Sequence, residues 1–291
     1  MKFKLFAVSL VALPSLFSAQ ASVILEGDYV RTAVSDNGTL GYGSNTSPGL
    51  LHDPTGTGTF GVNDYLTPGS PWEFFGVDSD QTGNVGNNNT NPSGNVFTSS
   101  SLTDTSGSVY DNSVNWTGTY STFLTVSTNT YFNDDSEYVS FMTTITALTD
   151  LTNLSFLRAI DPDMPSGAST LNNRGFGDLA AEDWVNSENV SNGLTLGLYS
   201  ISNVSHNTGI TAWTTDHDHY LSGTDLGDGD NTIGIAFDLA DLAAGESISF
   251  DYHYVMGDTP ESVDIPEVSE PAGLAMLALG LLGFAARRAR K

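Results

Sequence analysis

The chain has no cysteine, which removes disulfides, thiolate nucleophiles and cysteine metal ligands together. Between residues 22 and 270 it has no lysine either. The only cations there are Arg31, Arg158 and Arg174, set against all 34 aspartates and glutamates of the chain, a balance of −31. A phosphate backbone finds no basic surface on such a domain, so nucleic acid is excluded as a partner. The charge implies a solvated, self-repelling surface suited to salty water or divalent cations, and it disfavours contact with an anionic membrane. Helical periodicity is scarce, and only Leu179 to Val185 reads as a brief helix. The usual enzyme signatures are missing as well: no Gly-x-Ser-x-Gly elbow, no His-Glu-x-x-His helix and no phosphate loop.

The two ends carry addresses. Lys2 and Lys4 precede an apolar stretch from Leu5 to Phe17, and Ala19-Gln20-Ala21 supplies small residues for signal peptidase, so residues 1–21 read as a signal peptide and Ser22 as the start of the mature chain. The rival reading, a retained anchor, meets a stretch shorter than the ~20 residues a span needs and interrupted by Pro14. At the other end Ser269-Glu270-Pro271 leads into fifteen almost purely apolar residues, Ala272 to Ala286, and then Arg287-Arg288-Ala289-Arg290-Lys291. As a helix that run spans about 22 Å, short of the ~30 Å hydrocarbon core. The terminal basic cluster stays on the cytoplasmic side.

This order of parts resembles the PEP-CTERM sorting signal of exopolysaccharide-producing Gram-negative bacteria. The usual Pro-Glu-Pro reads Ser269-Glu270-Pro271, with Ile265-Pro266-Glu267 just upstream. The resemblance implies that an exosortase-type membrane peptidase removes the tail, so that a transient inner-membrane precursor becomes a cell-surface or extracellular protein. A retained C-terminal anchor is the alternative.

The part between the addresses reads as strands. Ile248, Phe250, Tyr252, Tyr254 and Met256 alternate with Ser249, Asp251 and His253, the pattern of a half-buried strand. Val139 to Ala147, Leu154 to Ile160 with Arg158 intruding, and Ile233 to Leu239 repeat it, and Thr119 to Ser127 reads as a Thr-rich strand of the same kind. Asn133 to Ser136 supplies a hairpin turn, and Leu242 to Glu246 a second turn in which Gly245 can take a positive φ. Many strands and polar turns predict an all-β antiparallel sandwich over residues 22–256, followed by an acidic linker at 257–268 and the sorting tail at 269–291. A larger twisted supersandwich of the sugar-mutarotase-like kind is the alternative. From Asn37 to Gly107 the composition shifts to Gly, Asn, Ser, Thr and Pro, with anchors at Tyr42, Phe60, Tyr65, Trp72, Phe74 and Phe75. The spaced aromatics favour ordered loops over coil.

The chemical candidates are carboxylates. Asp161 and Asp163 follow a strand at a spacing that puts both on one side, and Asp225, Asp228 and Asp230 share a Gly-rich loop. Calcium is the hard cation for such places, although neither has EF-hand spacing and Asp is also an ordinary turn former. Asp78 and Asp80 form a weaker pair. In Asp216-His217-Asp218-His219 a strand would present both histidines on one face as two metal ligands, without a third, and a polar loop after Trp213 is the better reading. Arg158 and Arg174 are suited to clamp carboxylates such as Asp161 or Asp163. Trp72, Trp116, Trp184 and Trp213 fill a core or offer a sugar-stacking platform, and core is the better reading. The sequence therefore reads as an exported, non-enzymatic surface or exopolysaccharide-matrix protein with a structural or adhesive role. The alternative is a secreted carbohydrate-binding protein or enzyme that contacts a glycan, an extracellular polysaccharide for instance, through Trp72 and Glu73.

Overall fold

The computed structural model describes residues 22–43, 45–90, 94–164 and 170–266. Ala19 and Ala21 at one end and Ser269, Glu270 and Pro271 at the other lie outside the described residues.

Two large antiparallel sheets face each other, with strands numbered in chain order. One sheet runs, in spatial order, β11 (Thr170–Arg174), β12 (Trp184–Asn189), β13 (Thr195–Tyr199), β16 (Ser247–Gly257), β9 (Tyr138–Ala147), β8 (Leu124–Phe132), β7 (Asn112–Tyr120) and β6 (Thr98–Asp104). The other runs β14 (His206–Thr211), β15 (Thr232–Leu242), β10 (Leu151–Ile160), β4 (Glu73–Asp78) and β5 (Val85–Asn88). A small third sheet joins β1 (Val23–Glu26), β2 (Val30–Val34) and β3 (Leu50–His52). The predicted all-β antiparallel sandwich is what the chain forms.

Period-two alternation drives this arrangement. In β8, Leu124, Val126, Thr128, Thr130 and Phe132 are buried while the residues between them are half-exposed. Aromatic rings knit the sheets together: Phe156 on β10 and Phe237 on β15 meet Phe250 on β16 with centroids 5.1 and 4.5 Å apart. Phe75 on β4 meets Trp116 on β7 edge-on at 5.2 Å. Such pairs add about 0.5–1.5 kcal/mol each beyond the area they bury.

Four sequence expectations are corrected. Thr119 to Ser127 is a hairpin and not one strand: β7 ends at Tyr120, Ser121 takes φ +49°, and the Phe123 N–H donates to the Tyr120 carbonyl at 3.1 Å. Leu179 to Val185 is not a helix. Leu179 pairs with Phe176 in a tight bridge, and Trp184 and Val185 open β12, where an aromatic and a β-branched side chain are buried on the sheet. Asp216 to His219 is neither a polar loop nor a strand but the N-cap and first residues of α1 (His217–Leu221), which lays Tyr220 on the outer face of the five-stranded sheet. The acidic linker is not a free spacer through residue 266. After a single 3₁₀ turn at Pro260–Ser262, Val263 and Ile265 pack beside Trp184, Tyr199 and Val255 on the outer face of the eight-stranded sheet.

The described residues of the Asn37 to Gly107 stretch are ordered and supply β3 to β6. Its loops are held by carboxylates used as multiple acceptors. Asp64 receives the backbone N–H groups of Gly49, Leu50, Leu66 and Thr67, and Asp53 those of Thr55, Thr57 and Thr59. Phe60, Tyr65, Phe74 and Phe75 are buried, whereas Tyr42 is exposed.

Candidate functional site

Glu73 begins β4 and Arg158 lies on β10, both on the faces turned toward the opposite sheet. Their side chains are 0% and 1% exposed and form an ion pair through Arg158 Nε and Glu73 Oε1. The Tyr254 hydroxyl donates to Glu73 Oε1 at 3.2 Å and the Leu40 N–H to Oε2 at 3.0 Å. The guanidinium lies over the Phe141 ring at 4.6 Å. Burial pushes the Glu73 carboxyl above its ordinary value, and the Arg158 charge opposes that shift. Two expectations change here. Glu73 faces the core and offers no surface to a glycan, and Arg158 clamps Glu73 rather than Asp161 or Asp163. Arg174 pairs with no carboxylate among the described residues: it donates to the carbonyls of Gly223 and Ala181 and to Asn207 Oδ1.

Asp161 and Asp163 follow β10, as the strand ending at Ile160 requires. The Asp161 carboxylate accepts the indole N–H of Trp213 at 2.8 Å, and Asp163 Oδ2 is enclosed with no hydrogen-bond partner among the described residues. Burial pushes Asp161 up to about 6, against the Trp213 hydrogen bond, with Asp230 adding to the rise. Burial, then Asp161, Asp230 and Asp64, push Asp163 up to about 7. The other predicted cluster does not converge: Asp225 Oδ1 caps its own turn by accepting from Gly227 N–H at 2.8 Å, and Asp228 Oδ1 accepts from Asn172 N–H at 3.0 Å. Among the described residues no three His, Cys, Asp or Glu side chains are grouped to hold a metal ion.

The raised carboxyls set a direction for pH. A folded-state value above the unfolded one makes no difference while both states are protonated. It costs stability as pH rises from about 4, where the unfolded carboxyl ionises, through the folded values near 6 and 7. The melting temperature is therefore expected to fall across that window, and Asp163→Asn is expected to flatten the profile and melt above the parent at pH 8. A parallel decline in both proteins would show that the pair does not govern the profile.

The histidine string separates. His217 is buried on α1 with Nδ1 2.8 Å from the Ser155 hydroxyl, and burial pushes its imidazole down to about 3. His219 is exposed, with Asp216 4.0 Å away. They share no ligand site. Trp116 and Trp184 are core residues, Trp72 is half-buried against Phe74 at 6.0 Å, and Trp213 is exposed. Beside that aromatic pair, Phe74, Asn84, Asn88, Asn95 and Thr215 line an open cavity of about 270 Å³ with no charged residue in its wall. Composition pointed to Trp72; the amides opposite Phe74 had no local signal, because β4, β5 and the 214–215 turn meet only in the fold.

The C-terminal residues decide the protein's route. Residues 267–291 match the PEP-CTERM protein-sorting motif. The chain bears an exosortase sorting signal. The matched segment begins at Glu267, two residues ahead of Ser269, and the motif implies export and processing by exosortase, a membrane peptidase. Among the described residues no helix is long and apolar enough to cross a membrane. No curated protein matches the chain. Among solved structures, it is similar to a bacterial glucoamylase complexed with acarbose, at 11% identity and a TM-score of 0.55, over 84% of this chain and 33% of that one. An α-mannosidase from Enterococcus faecalis V583 matches at 13% identity and 0.44, over 89% and 31%. The heparan sulfate lyase HepC from Pedobacter heparinus matches at 11% and 0.41, over 85% and 38%. The chain spans about a third of the length of these proteins. The likeness to the glucoamylase is one of fold.

Proposed function

We propose that the sorting-signal protein is an exported, non-enzymatic component of the cell surface or exopolysaccharide matrix with a structural or adhesive role. The observation that carries this reading is the sorting motif at 267–291, set behind an acidic sandwich. A balance of −31 keeps such domains apart in dilute solution and leaves cohesion to neutral contacts and to cations. Intact mass spectrometry of the surface and extracellular fractions is expected to find a species that starts at Ser22 and ends near Ser269-Glu270-Pro271. A species that keeps Arg287 to Lys291 and pellets with the inner membrane would make the tail a lasting anchor and overturn the route.

A second reading, binding of carbohydrate, is favoured by the uncharged cavity of Phe74, Asn84, Asn88 and Asn95. An aromatic face with amide donors and acceptors suits the apolar face and the hydroxyls of a sugar. Calcium enters this proposal as a stabiliser at Asp161 and Asp163. A site filled at ~100 times its dissociation constant contributes about 2.7 kcal/mol. The expected result is a larger rise in melting temperature with calcium than with magnesium at matched ionic strength, reduced in Asp161→Ala and unaffected in Asp228→Ala. Equal shifts with both ions would leave only screening.

A further inference from the structure

The outer face of the eight-stranded sheet differs from the rest of this acidic surface. Ladder pairing places Thr98, Thr119, Thr125, Thr146 and Ser247 in one row across five strands. The next row is Ser101, Thr117, Ser127, Thr144 and Ser249. At about 4.8 Å between strands each row is about 19 Å long. Neither row contains a charge, and all ten side chains are half-exposed or exposed. The hydroxyls pair across strands: Thr117 with Ser127 at 3.2 Å, Thr144 with Ser249 at 2.7 Å, Thr146 with Ser247 at 2.8 Å. A hydroxyl pair consumes one hydrogen, and Ser127 gives its own to Asn115 Oδ1 at 3.2 Å, so the Thr144–Ser249 and Thr146–Ser247 pairs each keep one donor while all three pairs keep lone pairs for solvent or a ligand.

Two ladder steps further along the same strands, beyond a row of Asn115, Asn129, Met142 and Asp251, the face opens into a cavity of about 130 Å³ lined by Tyr110, Tyr131, Tyr138, Ser140 and His253. The rings of Tyr110 and Tyr131 stack at 4.0 Å, and Tyr138 stands edge-on to His253 at 6.1 Å. His253 is only 9% exposed. Its Nδ1 is 2.9 Å from the Ser140 hydroxyl, while among the described residues its Nε2 faces only the Asp251 carboxylate at 3.6 Å, beyond hydrogen-bond reach. A nearly buried imidazole with one nitrogen still available, walled by three tyrosines, is a built site for a hydroxylated ring.

We infer that this cavity binds one sugar ring of a neutral, unbranched polysaccharide whose following residues lie along the hydroxyl rows. The inference rests on the carbohydrate-binding reading and assigns it to a different place from the Phe74 cavity. The charge argument selects the occupant. An anionic polymer is repelled by the surrounding field and by Asp251 at the edge of the cavity, and a cationic one has the acidic faces to choose instead, so two hydroxyl rows without charge favour a polymer without charge. Sheet twist, roughly 20–25° per strand, argues against a flat rigid lattice and for a flexible chain that follows it.

The test is affinity electrophoresis of the exported, processed protein in gels containing a soluble neutral β-glucan, a galactomannan or alginate, with flotation on phosphatidylcholine vesicles alongside. Retardation is expected in at least one neutral gel and not in alginate. Tyr131→Ala and, separately, Ser127→Asp are each expected to weaken it at least tenfold, with unchanged melting temperature in Ser127→Asp. Asn88→Ala, in the Phe74 cavity, is the variant that separates that place from this one. Retardation lost in Asn88→Ala but kept in both outer-face variants would preserve carbohydrate binding and overturn this site. Failure in every neutral gel, retardation by alginate alone, or vesicle binding without glycan binding would overturn both.

Discussion

Arg158→Met is expected to destabilise the domain by about 3–5 kcal/mol, because it leaves the Glu73 carboxylate buried without its counter-charge. At about 2–4 °C per kcal/mol for a domain of this size, the melting temperature drops by about 6–20 °C. The loss is expected to be smaller at pH 4 than at pH 8, because burial already pushes Glu73 up and the orphaned carboxyl folds best when protonated. The double variant Glu73→Gln/Arg158→Met should recover more than half of the loss, since glutamine carries no charge and keeps an acceptor for the Leu40 N–H. Urea unfolding of the three proteins at pH 4 and pH 8 measures all of this. A single variant within 1 kcal/mol of the parent, or a double variant no better than the single, would show that the pair is not what ties β4 to β10 and β16.

Trp116→Ala is expected to cost about 3–5 kcal/mol, the usual range for deleting a buried aromatic. The indole is enclosed, donates to the Asp36 carbonyl at 2.9 Å and meets Phe75 edge-on. Two glycines make room for it: a Cβ on Gly118 would stand 2.4 Å from the ring, and one on Gly38, at φ +84°, 2.6 Å. The cavity left behind can collapse only by moving both the β7 ladder and the Ser35 to Thr39 turn. Trp213→Ala is the contrast. That side chain is 43% exposed and loses one hydrogen bond to Asp161, so a cost near 1 kcal/mol is expected. Denaturant midpoints with unchanged slopes would report both values, and comparable losses would contradict the burial assignment.

The strands with clean alternation were legible in the sequence: β9, β10, β15 and β16 stand where Val139 to Ala147, Leu154 to Ile160, Ile233 to Leu239 and Ser247 to Met256 placed them. Alternation is a local consequence of one wet and one dry face, so it survives in one dimension. The β7 and β8 hairpin was not legible, because its turn residues Ser121, Thr122 and Phe123 continue the Thr-rich, aromatic texture of the strands they join. Glu73 and Trp72 looked alike as glycan contacts, being adjacent in a sparse stretch. Adjacency in a strand sends neighbours to opposite faces, and the sheet sent Glu73 inward to Arg158 and Trp72 to a half-buried position beside Phe74.

By itself the sequence determined the sorting motif and the fold class. The acid-proline step, the short apolar run and the basic cluster at the C-terminal end form a linear signal that is legible without the fold. Composition likewise fixed the acidity, the absence of thiol chemistry and the prevalence of strands. Only the tertiary structure decided which polar groups face each other. Glu73 and Arg158 are 85 residues apart and become a pair because β4 and β10 are ladder neighbours whose inner faces meet β16. The hydroxyl rows and the tyrosine cavity exist for the same reason: register across strands from residue 98 to residue 253 aligns side chains that share no local pattern, and register is set by which face of every strand must be dry.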